Sequence, residues 1–314
     1  MKYKVLITAP YFQPVITRFL PLFSQRGIEV VVPPVRERME EDELLKWVQD
    51  IDGAICGDDR FSEKVMERSK KLKVISKWGT GIDSIDKDAA AKRGIQVCNT
   101  PDAFSHGVGD TVLGYILCFA RRLPEMNAMI RAGKWEKIGS VSLRECTLGV
   151  IGVGHVGKQV VRRAKGFGIR LLGNDIVDIP SEFITETGIE MVSKEALLRQ
   201  SDFVSLNCDL NRTSYHLIGD TELSQMKKTA YLINTARGPI IEELALVRAL
   251  AAKGIAGAAL DVFETEPLPH DSPLLKFENV MLAPHNANSS PKAWEFVHQN
   301  TFRNLLKGLG IEHG

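Results

Sequence analysis

The sequence predicts an α/β protein with two parallel-sheet domains. Three observations carry that expectation. Short β-branched and apolar runs alternate with helix-patterned segments through the first third of the chain. A long, mostly apolar segment at 104–122 then breaks the rhythm. A second strand–helix series begins at Thr147 and runs almost to the end of the 314 residues. Strands that alternate with helices are joined by crossovers and so pair in parallel. At roughly 100–200 residues per domain, two domains are the natural division.

Taken in order, Lys4–Thr8 (KVLIT) is a strand, Ile16–Gln25 a helix and Glu29–Val32 the next strand. Glu40–Gln49 has apolar residues at helical spacing, Gly53–Cys56 is a short strand, and Ser62–Ser69 is helical. Leu72–Ser76 is a strand, Asp86–Arg93 a helix and Gln96–Cys98 a strand. Phe104–Arg122 reads as one long helix, either a bridge between domains or an ordinary core helix. The second series has strands at Thr147–Val153, Arg170–Asn174, Phe203–Asn207, Ala230–Asn234, Gly257–Val262 and Val280–Ala283. Helices fall between them, as at Gly157–Lys165, Lys194–Gln200 and Glu242–Ala252. A final helix starts near Pro291, where Ser290 can cap it and proline suits the first helical position.

Composition narrows the function classes. A net charge of +1 gives no electrostatic footprint for nucleic acid or an anionic membrane. Hydrophobic residues at 44% and charged residues at 25% are those of a globular chain with a sizeable core. The five cysteines form no C-x-x-C pair and several sit in apolar runs, which fits a reducing compartment better than a disulfide framework. The opening MKYKVLITAPYF reads as a first strand rather than a secretory leader. No stretch approaches the ~18 apolar residues of a spanning helix. A cytoplasmic protein without a metal is expected.

Residues 147–157, TLGVIGVGHVG, contain G-x-G-x-x-G after an apolar strand and at the start of a helix. In that setting Gly152 permits a tight turn, Gly154 lets the backbone approach a pyrophosphate, and Gly157 allows the helix to close on the strand. The helix N-terminus offers N–H groups to the phosphates. Asp175 follows Gly157 by 18 positions at the end of the next strand. Its carboxylate suits ribose hydroxyls and repels a 2′-phosphate, and no arginine or lysine follows directly. NAD is therefore expected rather than NADP, in a Rossmann unit central to the chain.

Three further residues stand at successive strand ends: Arg237 in NTARG, Glu266 in DVFETEP and His285 in APH. Each is unremarkable alone. Beside a dinucleotide site, their roles fit hydride transfer. Arg237 would hold a substrate carboxylate and polarise its carbonyl. His285 would exchange a proton with the carbonyl oxygen, and Glu266 would keep that imidazole protonated over a wider pH range.

With VISKWGTGIDSID (74–86), VCNTPDAFS (97–105), the glycine loop, LINTARGPIIEEL (232–244) and GAALDVFETEP (257–267), the chain resembles the D-isomer-specific 2-hydroxyacid dehydrogenases over nearly its whole length. The resemblance implies an NAD-binding Rossmann domain at 102–284 inserted into a flavodoxin-like substrate domain made of 1–101 and 285–314. It implies a homodimer and the roles of Arg237, Glu266 and His285 given above. Besides Gly152, Gly154 and Gly157, it implies that His155, Val156, Asp175, Cys208, Thr235, Ala236, Arg237, Asp261 and His285 contact NAD. It also implies that backbone N–H groups of the loop Trp78, Gly79, Thr80, Gly81 help bind the substrate carboxylate, with Arg237 and His285; Lys77, just before that loop, is a further candidate to bind substrate.

Three stretches depart from the family pattern: Val108-Gly109-Asp110, Asn207-Cys208-Asp209 and Asn286-Ala287-Asn288. For the substrate, the short D-3-phosphoglycerate dehydrogenase type comes first, with Lys77 and Lys137 as cations for a phosphate and Arg60 less secure beside Gly57-Asp58-Asp59. Glyoxylate or hydroxypyruvate reduction and oxidation of a phosphite-type oxyanion remain open. So does a reading of another class, a non-catalytic NAD(H)-sensing dimer resembling transcriptional corepressors.

Overall fold

A computed structural model describes residues 2–311. The chain divides into two compact units, one formed by 1–104 with 290–314 and the other by 105–289. The last residues of the first unit, 312–314, lie outside the described residues.

The first unit carries five strands: β1 (Tyr3–Ile7), β2 (Ile28–Val31), β3 (Gly53–Cys56), β4 (Val74–Lys77) and β5 (Gln96–Cys98). They pair in parallel in the order β2-β1-β3-β4-β5. The central strands β3 and β4 are buried throughout, as expected for a parallel sheet covered on both faces. The C-terminal helix Pro291–Gly308 packs on this sheet, and Ser290 accepts the Ala293 N–H at its start. Ser76 on β4 donates to the carbonyl of Thr301 on that helix (2.8 Å).

The second unit carries β6 (Thr147–Ile151), β7 (Arg170–Asn174), β8 (Glu190–Met191), β9 (Phe203–Leu206), β10 (Tyr231–Asn234), β11 (Gly257–Leu260) and β12 (Val280–Leu282). The sheet is parallel in the order β12-β11-β10-β9-β6-β7-β8. The order reverses between β6 and β9, so a crevice opens at the C-terminal ends of those two strands. The helix Ser105–Arg121 packs against the helix His155–Lys165. Asp110 on the first accepts from Arg163 on the second at 2.5 Å, which gives the shortened acid of the Val108-Gly109-Asp110 departure a partner.

The structure differs locally from the sequence expectations. The helix expected over Ile16–Gln25 is a 3-10 turn, Gln13–Arg18, followed by a short helix, Leu20–Gln25. Pro21 explains the break, because its ring cannot donate and would strike the carbonyl four residues earlier. The helix expected over Glu40–Gln49 is regular only at Glu41–Leu44 and continues as turns. The long helix ends at Arg122, which has φ of 52°, and a second helix, Leu123–Arg131, restarts with Pro124 in its first turn. Strand β8, two residues long, is too short to leave a periodic signal. Among the described residues, no helix is long and apolar enough to cross a membrane. All five cysteines are unpaired thiols.

Candidate active site

The glycine loop leaves β6 at the crevice. Gly152 has φ of +86°, and a Cβ there would fall 2.5 Å from the backbone nitrogen of Cys208, on the loop after β9. A Cβ on Gly157 would fall 2.0 Å from the carbonyl oxygen of Gly152. Both positions therefore demand glycine, one for conformation and approach, the other for close packing of helix on loop. Gly154 and His155 are exposed at the N-terminus of the eleven-residue helix, and a Cβ on Gly154 would meet nothing within 4 Å. No side chain caps this helix end. Val156 is half-buried on the first turn.

Asp175, just beyond β7, accepts the Val153 N–H at 2.6 Å and the Val177 N–H at 3.1 Å. Those bonds fix the carboxylate against the glycine loop while leaving lone pairs for further donors. Cys208 lines the same turn, and burial pushes its thiol up to about 11, so it stays an uncharged apolar wall. Beyond β10, Thr235 is buried, and its Oγ1 has no hydrogen-bond partner among the described residues. A buried hydroxyl without a partner is costly, and a polar ligand would satisfy it. An uncapped helix N-terminus, open space over Gly154, a placed carboxylate and an orphaned hydroxyl together fit a dinucleotide.

His285 and Glu266, expected from the sequence as an acid–base pair, come together beyond β12 and β11. His285 Nδ1 lies 2.9 Å from Glu266 Oε2, with both side chains about four-fifths shielded (22% and 18% exposed). An ionised carboxylate only accepts, so Nδ1 carries the proton of this bond and Nε2 becomes the nitrogen that can exchange one. The other Glu266 oxygen accepts the Phe263 N–H at 2.9 Å, which prevents the carboxylate from swinging away. The Glu266–Pro267 peptide bond is cis.

Asp261 underlies the histidine. The His285 N–H donates to the Asp261 carbonyl (2.8 Å), and the Asp261 carboxylate accepts the N–H groups of Asn286 and Ala287, both at 2.8 Å. His285 itself has φ of +51°, the left-handed region that non-glycine residues seldom occupy. The three bonds from Asp261 hold that turn. Burial pushes the Asp261 carboxyl above its ordinary range, and the two N–H donors oppose the shift. The sequence suggested Asp261 as a cofactor contact. Its role as anchor of the histidine turn was missed, and no local pattern signals it.

Arg237 follows β10, half-buried, with Nη1 donating to the Ala236 carbonyl at 2.9 Å. Asn234 fixes the turn by accepting from Ala236 N–H and donating to the Arg237 carbonyl. The next residue, Gly238, packs directly on the backbone of Phe263 and Glu264, in the loop that bears Glu266.

In the first unit, Lys77 needs correction as a cation for a phosphate. It is 4% exposed, its ammonium lies 3.2 Å from Asp58, and it donates to the Trp78 carbonyl at 3.0 Å. A buried ammonium must be paired, and this one is. Arg60 lies 3.7 Å from Glu40. Lys137 is exposed in an irregular segment of the second unit. The Trp78 indole donates to His298 Nδ1 (2.9 Å), Gly79 has φ of +119° and accepts the Thr100 N–H, and the Thr80 hydroxyl donates to the Thr100 carbonyl.

Residues 113–287 match the family model described as "D-isomer specific 2-hydroxyacid dehydrogenase, NAD binding domain". The chain is 41% identical to a glyoxylate reductase of Thermofilum pendens over 88% of its own length and 82% of that protein's. It is 40% identical to a D-3-phosphoglycerate dehydrogenase of Methanocaldococcus jannaschii over 84% of its length, but covers only 51% of that enzyme. Its fold matches a D-lactate dehydrogenase of Aquifex aeolicus, solved with NAD and lactic acid, with a TM-score of 0.85 at 25% identity over 97% of this chain and 96% of that one. The chain belongs to the D-isomer-specific 2-hydroxyacid dehydrogenase family. It is an NAD-dependent oxidoreductase of 2-hydroxy and 2-keto acids.

Proposed function

We propose that the chain reduces glyoxylate, and with it small unphosphorylated 2-keto acids, to the corresponding 2-hydroxy acids. The 2.9 Å pair of His285 and Glu266 carries the chemistry of this reading. The glycine loop, Asp175 and Thr235 would hold the dinucleotide. When bound in its reduced form, the dinucleotide would supply a hydride for the carbonyl carbon. Arg237 pairs with the substrate carboxylate and draws electron density from the adjacent carbonyl. The His285 imidazolium delivers its Nε2 proton to the carbonyl oxygen as negative charge develops there. Glu266 stabilises the imidazolium before that transfer, and in the reverse direction it favours His285 as the base. A second copy of this chain is the proposed partner.

The sequence put the phosphoglycerate type first, and the support runs to its alternative. Lys77, the nearest cation of the WGTG loop, is already paired with Asp58. Several similar relatives are glyoxylate reductases, at 38–41% identity to this chain. The test is a panel of glyoxylate, hydroxypyruvate and 3-phosphohydroxypyruvate followed by loss of NADH absorbance. A kcat/KM for glyoxylate at least about tenfold above that for the phosphorylated acid is expected, since one unpaired phosphate costs on the order of 1.4 kcal/mol or more. The reverse ranking would overturn the assignment.

A further inference from the structure

The second unit holds another histidine–carboxylate pair, outside the residues that face the chemistry. His216 Nε2 lies 2.6 Å from Glu264 Oε1, with each side chain about one-third exposed. The carboxylate accepts, so Nε2 carries the proton. His216 has φ of +49°, and the Tyr215 ring stacks on its imidazole at 4.0 Å. A non-glycine residue held in that conformation is fixed by its surroundings.

Those surroundings are the loops that carry the active residues. The His216 N–H donates to the Pro239 carbonyl (2.8 Å), the Ile218 N–H to the Ile240 carbonyl (3.1 Å), and the Glu242 N–H to the Ile218 carbonyl (2.9 Å). The segment 216–218 is thus stitched to the stretch directly after Arg237. Glu264 belongs to the loop of Glu266, two residues earlier, and its N–H donates to Glu243 Oε2 at 3.3 Å. A Cβ on Gly238 would fall 1.9 Å from the carbonyl of Phe263 and 2.5 Å from the nitrogen of Glu264, so the two loops touch backbone to backbone. Phe263 is in turn the residue whose N–H fixes the Glu266 carboxylate.

We propose that His216 and Glu264 form a positioning pair that ties the loops after β9, β10 and β11 together and so holds Glu266 against His285. The proposal rests on the functional reading given above. His216 is a positioning residue: it acts on the reaction only through Glu264, Phe263 and Glu266. Two further glutamates stand near the pair. Glu243 stands behind Glu264, and Glu242, paired with Arg248, stands beside Gly219. Burial pushes the Glu243 carboxyl above its ordinary range.

The test compares His216→Ala, Glu264→Ala, their double variant and Glu264→Gln, whose amide oxygen can still accept from Nε2–H. Each alanine variant should lower kcat on glyoxylate about 3–10-fold and leave the NADH dissociation constant within about twofold. The alkaline limb of the pH–rate profile should move to lower pH, because Glu266 holds the imidazolium less well. The double variant should be no worse than either single one, the signature of one shared interaction. Glu264→Gln should restore most of the rate. Amide exchange across 261–267 in the same variants should quicken at least about fivefold, whatever the turnover. Unchanged exchange in that loop, or an unmoved alkaline limb with only a lower melting temperature, would overturn the proposal. A wild type that binds NADH but turns over no 2-keto acid would sink the reading of function, and the exchange experiment would still decide the positioning role.

Discussion

Replacing Asp261 tests the anchor beneath His285, the proposed proton donor. In the wild type its carboxylate accepts two N–H groups, from Asn286 and Ala287, at 2.8 Å each. Asp261→Ala leaves the N–H of buried Ala287 and the N–H of the more exposed Asn286 without this acceptor. At about 1–3 kcal/mol for the buried donor and about 1 kcal/mol for the one that water can partly reach, the loss is about 2–4 kcal/mol. The left-handed His285 adds a reason for the turn to rearrange, since such a residue stores on the order of 1–3 kcal/mol that its bonds must offset. Asp261→Asn keeps one acceptor and turns an amide N–H toward the other donor, so about 1–3 kcal/mol should be lost. At roughly 2–4 °C per kcal/mol, the alanine variant should melt about 4–16 °C lower and the asparagine variant less. Activity should fall further than stability implies, because a displaced His285 forfeits part of the roughly 10²–10⁴-fold that a placed acid contributes. Thermal melts and NADH oxidation, measured on the same samples below the transition, separate the two effects. An Asp261→Asn protein with wild-type kcat and melting temperature would refute the anchoring argument.

Two further outcomes follow from other sites. Asp175→Ala removes the charge that opposes a 2′-phosphate and the acceptor of the Val153 N–H, so the preference for NADH over NADPH should fall about tenfold or more in kcat/KM. An unchanged ratio would contradict the cofactor argument. In the first unit, Arg18 and then Gln299 hold the Glu295 carboxyl down at about 2. A depressed carboxyl contributes stability that is present above its unfolded value and lost as pH falls through the folded one. Glu295→Gln should therefore melt slightly below the wild type at neutral pH, and the gap should close between about pH 4.5 and pH 2. A gap that widened on acidification would contradict the sign.

The strands of the two parallel sheets and the glycine loop were legible because each rests on local physics. Continuous apolar runs mark strands buried on both faces, and G-x-G-x-x-G between a strand and a helix marks a turn that tolerates no Cβ. The triad was legible as three residues at successive strand ends, but not as a geometry. That Asp261 spends its carboxylate on the backbone after His285 depends on β11 lying beside β12, a tertiary fact 25 residues away in sequence. Lys77 shows the same limit. Its place in VISKWGTG says nothing about Asp58, which reaches it from the end of the neighbouring strand β3. The His216–Glu264 pair joins two polar loops 48 residues apart, and neither loop carries a pattern that predicts the other.

The central claim is that His285 moves the proton. The most direct test compares wild type and His285→Gln, with NADH binding followed by fluorescence and glyoxylate reduction by absorbance. The account predicts an unchanged NADH affinity and a kcat lower by about 10²-fold or more, since glutamine keeps the size and a hydrogen bond but has no proton to give. A His285→Gln enzyme that binds NADH and keeps most of the wild-type turnover would contradict it.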